Sequence, residues 1–465
     1  MICAGGPGSG MFLSDPAGSV FPVVPETGFA PVSAEPAASP AAAPMVLRSR
    51  AEAEAYVASV CFKHGPPRLV GVELEWVLRA GGPPDLGELL AALGPHAPVS
   101  LLPGSPAAPL PGGSLVTIEP GGQVELASPP LPDLRTLTAT VEADSAHLHR
   151  LLADRELTPE PRAADPCRPA RRLVQLPRYR AMEQAFDRNG AFGRTGMCST
   201  SAVQVALDAG EEHEVAARWA ALHELGPVLL AAFANSPALH GRGTGWRSSR
   251  FAAWLASDPA RTGPPTPTEL ARPDPAQAWA ERVVGTPLLC VRGPGEWVVP
   301  VGVTFADWIG GALPGTPTTA DLDYHISTLF PPVRPRGFLE VRYVDQQQGA
   351  DWGLPVAVLA ALTARPETLD RVRELCEPVR EHWLAACRLG LADPDLARAA
   401  RAVFGLACAA LPDLDPPPAL AQRLVAVTEG RIAAGRSPAD DPLPGEPTVL
   451  DPIDIVSLPT EGLLP

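Results

Sequence analysis

Four segments of the chain alternate apolar and polar positions, the period-two pattern of half-buried strands. They are LVGVELEWVL at 69–78, SLVTIEPGGQVEL at 114–126, SAVQVALD at 201–208 and GFLEVRYVD at 337–345. The second reads as a hairpin, two arms joined by Pro120-Gly121-Gly122. Elsewhere the period becomes helical. Ser49-Arg50-Ala51-Glu52 has capping-box form and opens a helix to about Cys61. Asp133 caps a long helix to about Glu156, residues 211–235 are helical up to Asn235-Ser236-Pro237, and 354 to about 434 is helical between Pro-bearing turns.

Proline and glycine mark the connections: 80–113 around one short helix, the Pro/Arg-rich 158–178, and the Pro/Thr loop 258–276. Two further strands are predicted at 287–292 and 297–304. With no internal repeat and strands separated by long segments, the order predicts an α+β fold with a mainly antiparallel sheet. Residues 1–45 hold eight prolines and no Lys or Arg, which predicts a disordered Pro/Ala-rich segment, with Met45 a possible start. The folded unit is expected over 46–437, followed by a Pro-rich tail at 438–465.

The alternating segments share one design. Each sets an apolar face against a second face carrying Glu or Gln: Glu73 and Glu75, Glu119 and Glu125, Gln204, and Glu340 with Arg342. Solvated sheet faces usually mix charge signs, and that remains the plain reading. Five glutamates against one arginine would repel in a shared cleft, and a divalent cation relieves the repulsion. Oxygen donors on a rigid sheet suit Mg2+ or Mn2+, usually held jointly with substrate phosphates. GRGTGWRSSR at 241–250 adds Arg242, Arg247 and Arg250, bidentate partners for carboxylate or phosphate, in what is otherwise a basic surface loop.

Composition narrows the function further. The net charge of −15, with no basic tract, argues against nucleic acid or an anionic membrane as the main partner. Lys63 is the only lysine, and neither GxxxxGK[ST] nor HExxH occurs. The eight cysteines form no CxxC pair, and most read as buried thiols of a cytoplasmic protein, Cys198 included. The nine histidines form no ligand-spaced cluster. No apolar run is long enough to span a membrane, and no signal peptide is evident.

GVELEW, TIEPGGQVELASPP, CSTSAVQVALD, FANSP, GWRSSRFAAW and HISTLFPPVRPRGFLEVRYVD follow one another in the order seen in glutamate–cysteine ligases. The chain resembles the plant-like and actinobacterial group of that family, most of all its ergothioneine-pathway type, over about 46–435. The resemblance implies a glutamine-synthetase-like fold, a curved, mainly antiparallel sheet cradling ATP and Mg2+ with helices behind. It implies that ATP phosphorylates the γ-carboxylate of L-glutamate and that the amine of L-cysteine displaces the phosphate, giving γ-glutamylcysteine, ADP and phosphate.

On that resemblance Glu73, Glu75, Glu119, Glu125 and Glu340 coordinate metal. Gln204 and Arg342 contact ATP, with Arg342 at the transferring phosphate. Arg250 clamps the glutamate α-carboxylate, Trp246 walls the amino-acid pocket, and Met197 and Thr200 line it. Ser199 stands where plant-type members carry a second glutamate-binding arginine, so Arg194 is the candidate substitute. Ala206 stands where the family pattern has asparagine. The partners expected are small molecules, for a monomer or small homo-oligomer. A ligase joining glutamate to a different amine, and an inactive binding paralogue, are the competing readings.

Overall fold

Six strands form the central sheet of the computed structural model, which describes residues 43–79, 85–444 and 446. They are β1 (Val70–Trp76), β2 (Leu115–Ile118), β3 (Val124–Ala127), β4 (Ala202–Leu207), β5 (Val333–Pro335) and β6 (Leu339–Asp345). Their spatial order is β2-β3-β1-β4-β6-β5, and every neighbouring pair is antiparallel. The principal helices are α1 (Arg50–Cys61), α2 (Leu134–Ala153), α3 (Pro177–Asp187), α4 (Phe192–Ser199), α5 (Val215–Glu224), α6 (Gly226–Phe233), α7 (Ser249–Ser257), α8 (Gly353–Thr363) and α9 (Pro394–Ala410).

The alternation seen in the sequence is the alternation of the sheet. Val72, Leu74, Trp76, Val116, Ile118, Val124, Leu126, Val203, Val205, Leu339 and Val341 are all buried on the core side. There α2 packs on β1, α8 on β4 and α6 on β6. Burying such side chains contributes about 1.5–3 kcal/mol each, which fixes which face points inward. A one-residue slip would send the glutamates into the core.

Register sorts the opposite face into rows. Thr117, Glu125 and Glu75 form one, Ala127, Glu73 and Gln204 the next, and Gly71, Ala206, Glu340 and Arg334 a third. Val341 pairs with Val205 but Val344 with Val203, so Arg342 and Tyr343 together oppose Gln204 in a β-bulge. The bulge keeps Arg342 beside the carboxylates. Tyr343 turns to the helices, where its hydroxyl donates to the Leu222 carbonyl at 3.0 Å.

Ser49 and Asp133 cap α1 and α2 as expected. The expected strands at 287–292 and 297–304 are absent. Only Pro287 and Thr304 bridge, with hydrogen bonds from Leu288 to Val303 and from Val291 to Trp297. Pro287 and Pro300 lack the N–H a ladder needs, and Gly302 adopts a left-handed φ of 82°. The loop at 258–276 contains two single-turn helices, Pro259–Thr262 and Pro267–Leu270. The helix over 211–235 is divided at Leu225 by Gly226-Pro227.

The expected boundary at 437/438 is not a break in the structure. Pro438–Asp440 forms a 3-10 turn, the Ala439 N–H donates to the Ala234 carbonyl, and Glu446 pairs with the buried Arg162 at 2.6 Å. The proposed disordered segment lies outside the described residues except for 43–45, and Val46 bridges to Thr318. Among the described residues no helix is long and apolar enough to cross a membrane.

Candidate active site

Over the glutamate face lies a cavity that opens to solvent. The sheet supplies its floor: Glu75, Glu119, Glu125, Gln204 and Arg342. From α7 come Arg250 and Trp254, from α3 Arg178, Tyr179 and Met182, and from the end of α4 Met197 and Thr200, with Phe330 closing the side. The expected residues Glu75, Glu119, Glu125, Gln204, Arg342, Arg250, Met197 and Thr200 are therefore brought together.

The hairpin turn is held by its own glutamine. Gln123 Oε1 accepts from the Gly121 N–H at 2.9 Å and its Nε2 donates to the Thr200 carbonyl at 2.9 Å. A Cβ on Gly121 would sit 2.0 Å from the Cys198 carbonyl oxygen, so the turn and the end of α4 pack backbone to backbone. This contact sets where Glu119 stands relative to Met197 and Thr200.

The carboxylates are costly as they stand. Burial, with the charge of Glu340, pushes Glu73 up to about 7. Burial and the neighbouring Glu75 push Glu119 up to about 8. Burial and three glutamate neighbours hold Glu125 well above the usual carboxylate range, where its Oε1 accepts from Thr117 Oγ1 at 2.7 Å. Burial also raises Glu75, against the pull of Arg250 and Arg342. One oxygen of Glu73, Oε2, is buried without a partner.

Glu340 differs. Burial alone would raise it, but Arg334 at 2.6 Å, Arg342 at 3.1 Å and Arg336 at 3.6 Å hold it below the usual range. The face thus carries Arg334 and Arg336 as well as Arg342. Gln204 links the two charge types, donating to Glu75 at 2.5 Å and accepting from Arg342 Nη1.

Arg250 is buried at the start of α7. It donates to the Arg342 carbonyl at 2.8 Å and lies 3.5 Å from Asp345, and its Nε has no partner. Asp345 is fully buried and also accepts from the Asn235 N–H at 2.8 Å, Ser236 Oγ at 2.7 Å and Ser248 Oγ at 2.9 Å. The conspicuous FANSP and WRSSR segments are joined by that one carboxylate. Arg247 instead pairs with Asp440.

Glu73 and Glu340 share the sheet face but are not among the residues that line the cavity, and two more expected residues lie elsewhere. Arg194 turns to Asp187 and Glu183 and is not part of the cavity wall. Trp246 is buried in the core cluster, and Trp254, one helical turn beyond Arg250, takes the wall position. Cys198 is buried with its thiol pushed up to about 12, which leaves no reactive thiolate. Ser199 is buried, its carbonyl accepting from the Asp165 N–H at 2.8 Å.

The all-oxygen donor set, the raised carboxylates and the orphaned Glu73 oxygen fit a hard divalent cation. Among the described residues no three acidic, His or Cys side chains converge as a ready-made metal cage. Mg2+ commonly takes only one or two carboxylates, completing its shell with water and substrate oxygens, so pairs from this face suffice.

Comparison with known proteins decides the family. The model for glutamate-cysteine ligase family 2 matches residues 69–443. The chain belongs to that family. Its relatives include the glutamate–cysteine ligase EgtA of Mycolicibacterium smegmatis, 38% identical over 409 residues, spanning 86% of this chain and 92% of the relative. EgtA of Mycobacterium tuberculosis H37Rv is 38% identical over 382 residues, 79% of this chain and 84% of the relative. The chloroplastic glutamate–cysteine ligase of Medicago truncatula is 31% identical over 262 residues, 54% of this chain and 49% of that protein. Among solved structures, the glutamate–cysteine ligase of Francisella tularensis in complex with AMP aligns with a TM-score of 0.48 at 12% identity, covering 81% of this chain and 84% of that one. The family match spans the whole sheet and every cavity residue.

Proposed function

We infer that the protein is an ATP-dependent ligase that joins the γ-carboxylate of L-glutamate to the amino group of L-cysteine, releasing γ-glutamylcysteine, ADP and phosphate. The observation that carries this reading is the cavity of a family member in which repelling carboxylates and guanidinium groups face each other on one rigid sheet. Bringing a carboxylate to the terminal phosphate of ATP gathers negative charge, and the chemistry is then mostly placement and charge stabilisation.

Glu73, Glu75, Glu119, Glu125 and Glu340 would hold Mg2+, Glu340 from within its arginine cluster. Bound there, the ion would neutralise phosphate charge and polarise the phosphoryl oxygens. Arg342, steered by Glu340 and Gln204, reaches for the transferring phosphate. Arg250, braced by Asp345, holds a substrate carboxylate with its free donors. Trp254, Phe330, Met182 and Met197 exclude water from the acyl phosphate. Following the resemblance, the product enters an ergothioneine-type thiol pathway.

Purified protein with ATP, Mg2+, L-glutamate and a panel of amines tests this. The reading requires ADP and γ-glutamylcysteine in equal amounts with cysteine as the preferred acceptor. Better turnover with another amine would reassign the acceptor, and no turnover with any amine would remove the ligase activity altogether.

A further inference from the structure

Three guanidinium groups line the cavity, and only two of them engage carboxylates of the protein. Arg342 is committed to Glu340 and Arg250 to Asp345. Arg178, near the start of α3, makes neutral contacts instead. Its Nη1 donates to Ser327 Oγ at 3.0 Å and its Nη2 to the Ser327 carbonyl at 2.8 Å. Its Cζ lies 5.0 Å from the centroid of the Tyr324 ring. Among the described residues no carboxylate lies within ion-pair distance of it. A guanidinium held on a hydroxyl, a carbonyl and an aromatic face is oriented but not neutralised. In the cavity wall it stands among Tyr179, Met182, Trp254 and Phe330.

We propose that Arg178 clamps the α-carboxylate of an amino-acid substrate, a reading that rests on the ligase function proposed above. A planar, pre-oriented fork in a largely apolar wall suits a single carboxylate. A polyphosphate needs several cations together, and the sheet floor with Arg342 offers that. The reaction brings two such carboxylates, one on L-glutamate and one on an amino-acid acceptor. Both present the same chemistry to Arg178.

The test compares Arg178→Gln and Arg178→Lys with the unaltered enzyme by calorimetry, with a non-hydrolysable ATP analogue and Mg2+ present. One arm titrates L-glutamate and its α-methyl ester. The other titrates L-cysteine and cysteamine into enzyme holding L-glutamate. We expect Arg178→Gln to weaken the free acid tenfold or more in one arm while leaving the partner that lacks a free α-carboxylate unchanged, and that arm identifies the substrate clamped. Arg178→Lys, which keeps charge without the fork, should lose less, and it carries the same comparison if the Gln variant fails to fold. Equal weakening of the acid and of the partner without a free α-carboxylate, or no change in either arm, overturns the assignment. Turnover by the unaltered enzyme tests the ligase reading separately, since it does not depend on the substitution.

Discussion

Glu75 and Glu125 stand directly opposite one another across the β1–β3 pairing, two carboxylates in one register position of a buried sheet face. Like charges so placed destabilise a sheet, and the surrounding burial magnifies the effect. Burial and mutual repulsion raise Glu73, Glu75, Glu119 and Glu125, so proton uptake relieves the cluster and stability depends on pH in a definite direction.

Glu73 and Glu119 titrate at about 7 and about 8 in the folded chain against a usual 4.5. Groups raised on folding stabilise fully below the unfolded value, and that contribution is lost as pH rises through the folded values. Melting temperature in chelator should therefore fall between about pH 5 and pH 8.5. Mg2+ should restore it at the upper end and do little at pH 5, where protons compete with the metal. A melting curve flat in pH, or a Mg2+ effect confined to low pH, would contradict this.

Glu119→Gln removes one repelling charge and one metal donor. Turnover should drop by a hundredfold or more, while the melting temperature at pH 8 stays level or rises. Near-normal Mg2+-dependent turnover in this variant would remove Glu119 from the metal set.

Asp345→Asn keeps the size of the side chain and removes the charge that braces Arg250. Leaving a buried cation without its counter-charge costs roughly 3–5 kcal/mol in comparable pairs. We expect lower stability by urea titration and a rise in the KM for glutamate larger than any rise for ATP. An unchanged glutamate KM in folded variant would show that Arg250 does not need Asp345.

Gly121→Ala forces the hairpin turn away from the Cys198 carbonyl, a contact that cannot yield because both sides are backbone. Turnover should fall at least tenfold with a lower melting temperature. Gly285→Ala, at an exposed helix end with nothing within 4 Å, is the control and should be neutral or stabilising by up to about 1 kcal/mol. Equal behaviour of the two variants would deny the turn its positioning role.

Most of the carboxylate face was legible because strand alternation is strict geometry. Glu73, Glu75, Glu119, Glu125 and Gln204 share a side in any register that buries the valines. Arg334 escaped because VRP is short and ends in proline, so β5 left no periodic trace. Arg194 was misread through distance along the chain. Five residues on a helix rotate a side chain by about 140°, so a residue near Ser199 in sequence points to a different side of α4. Trp246 precedes the first turn of α7 and enters the core, whereas the 250/254 spacing places Arg250 and Trp254 on one helical face, a signal that was present. Arg178 and Phe330 reach the cavity only through tertiary packing, and no local pattern announces them.

The central claim is that the γ-carboxylate is activated as an acyl phosphate, and it can be followed by oxygen. L-glutamate carrying 18O in its γ-carboxylate should pass one labelled oxygen to the released phosphate in each turnover when cysteine is the acceptor, as read by mass spectrometry. Unlabelled phosphate, or label found in AMP, would contradict the account.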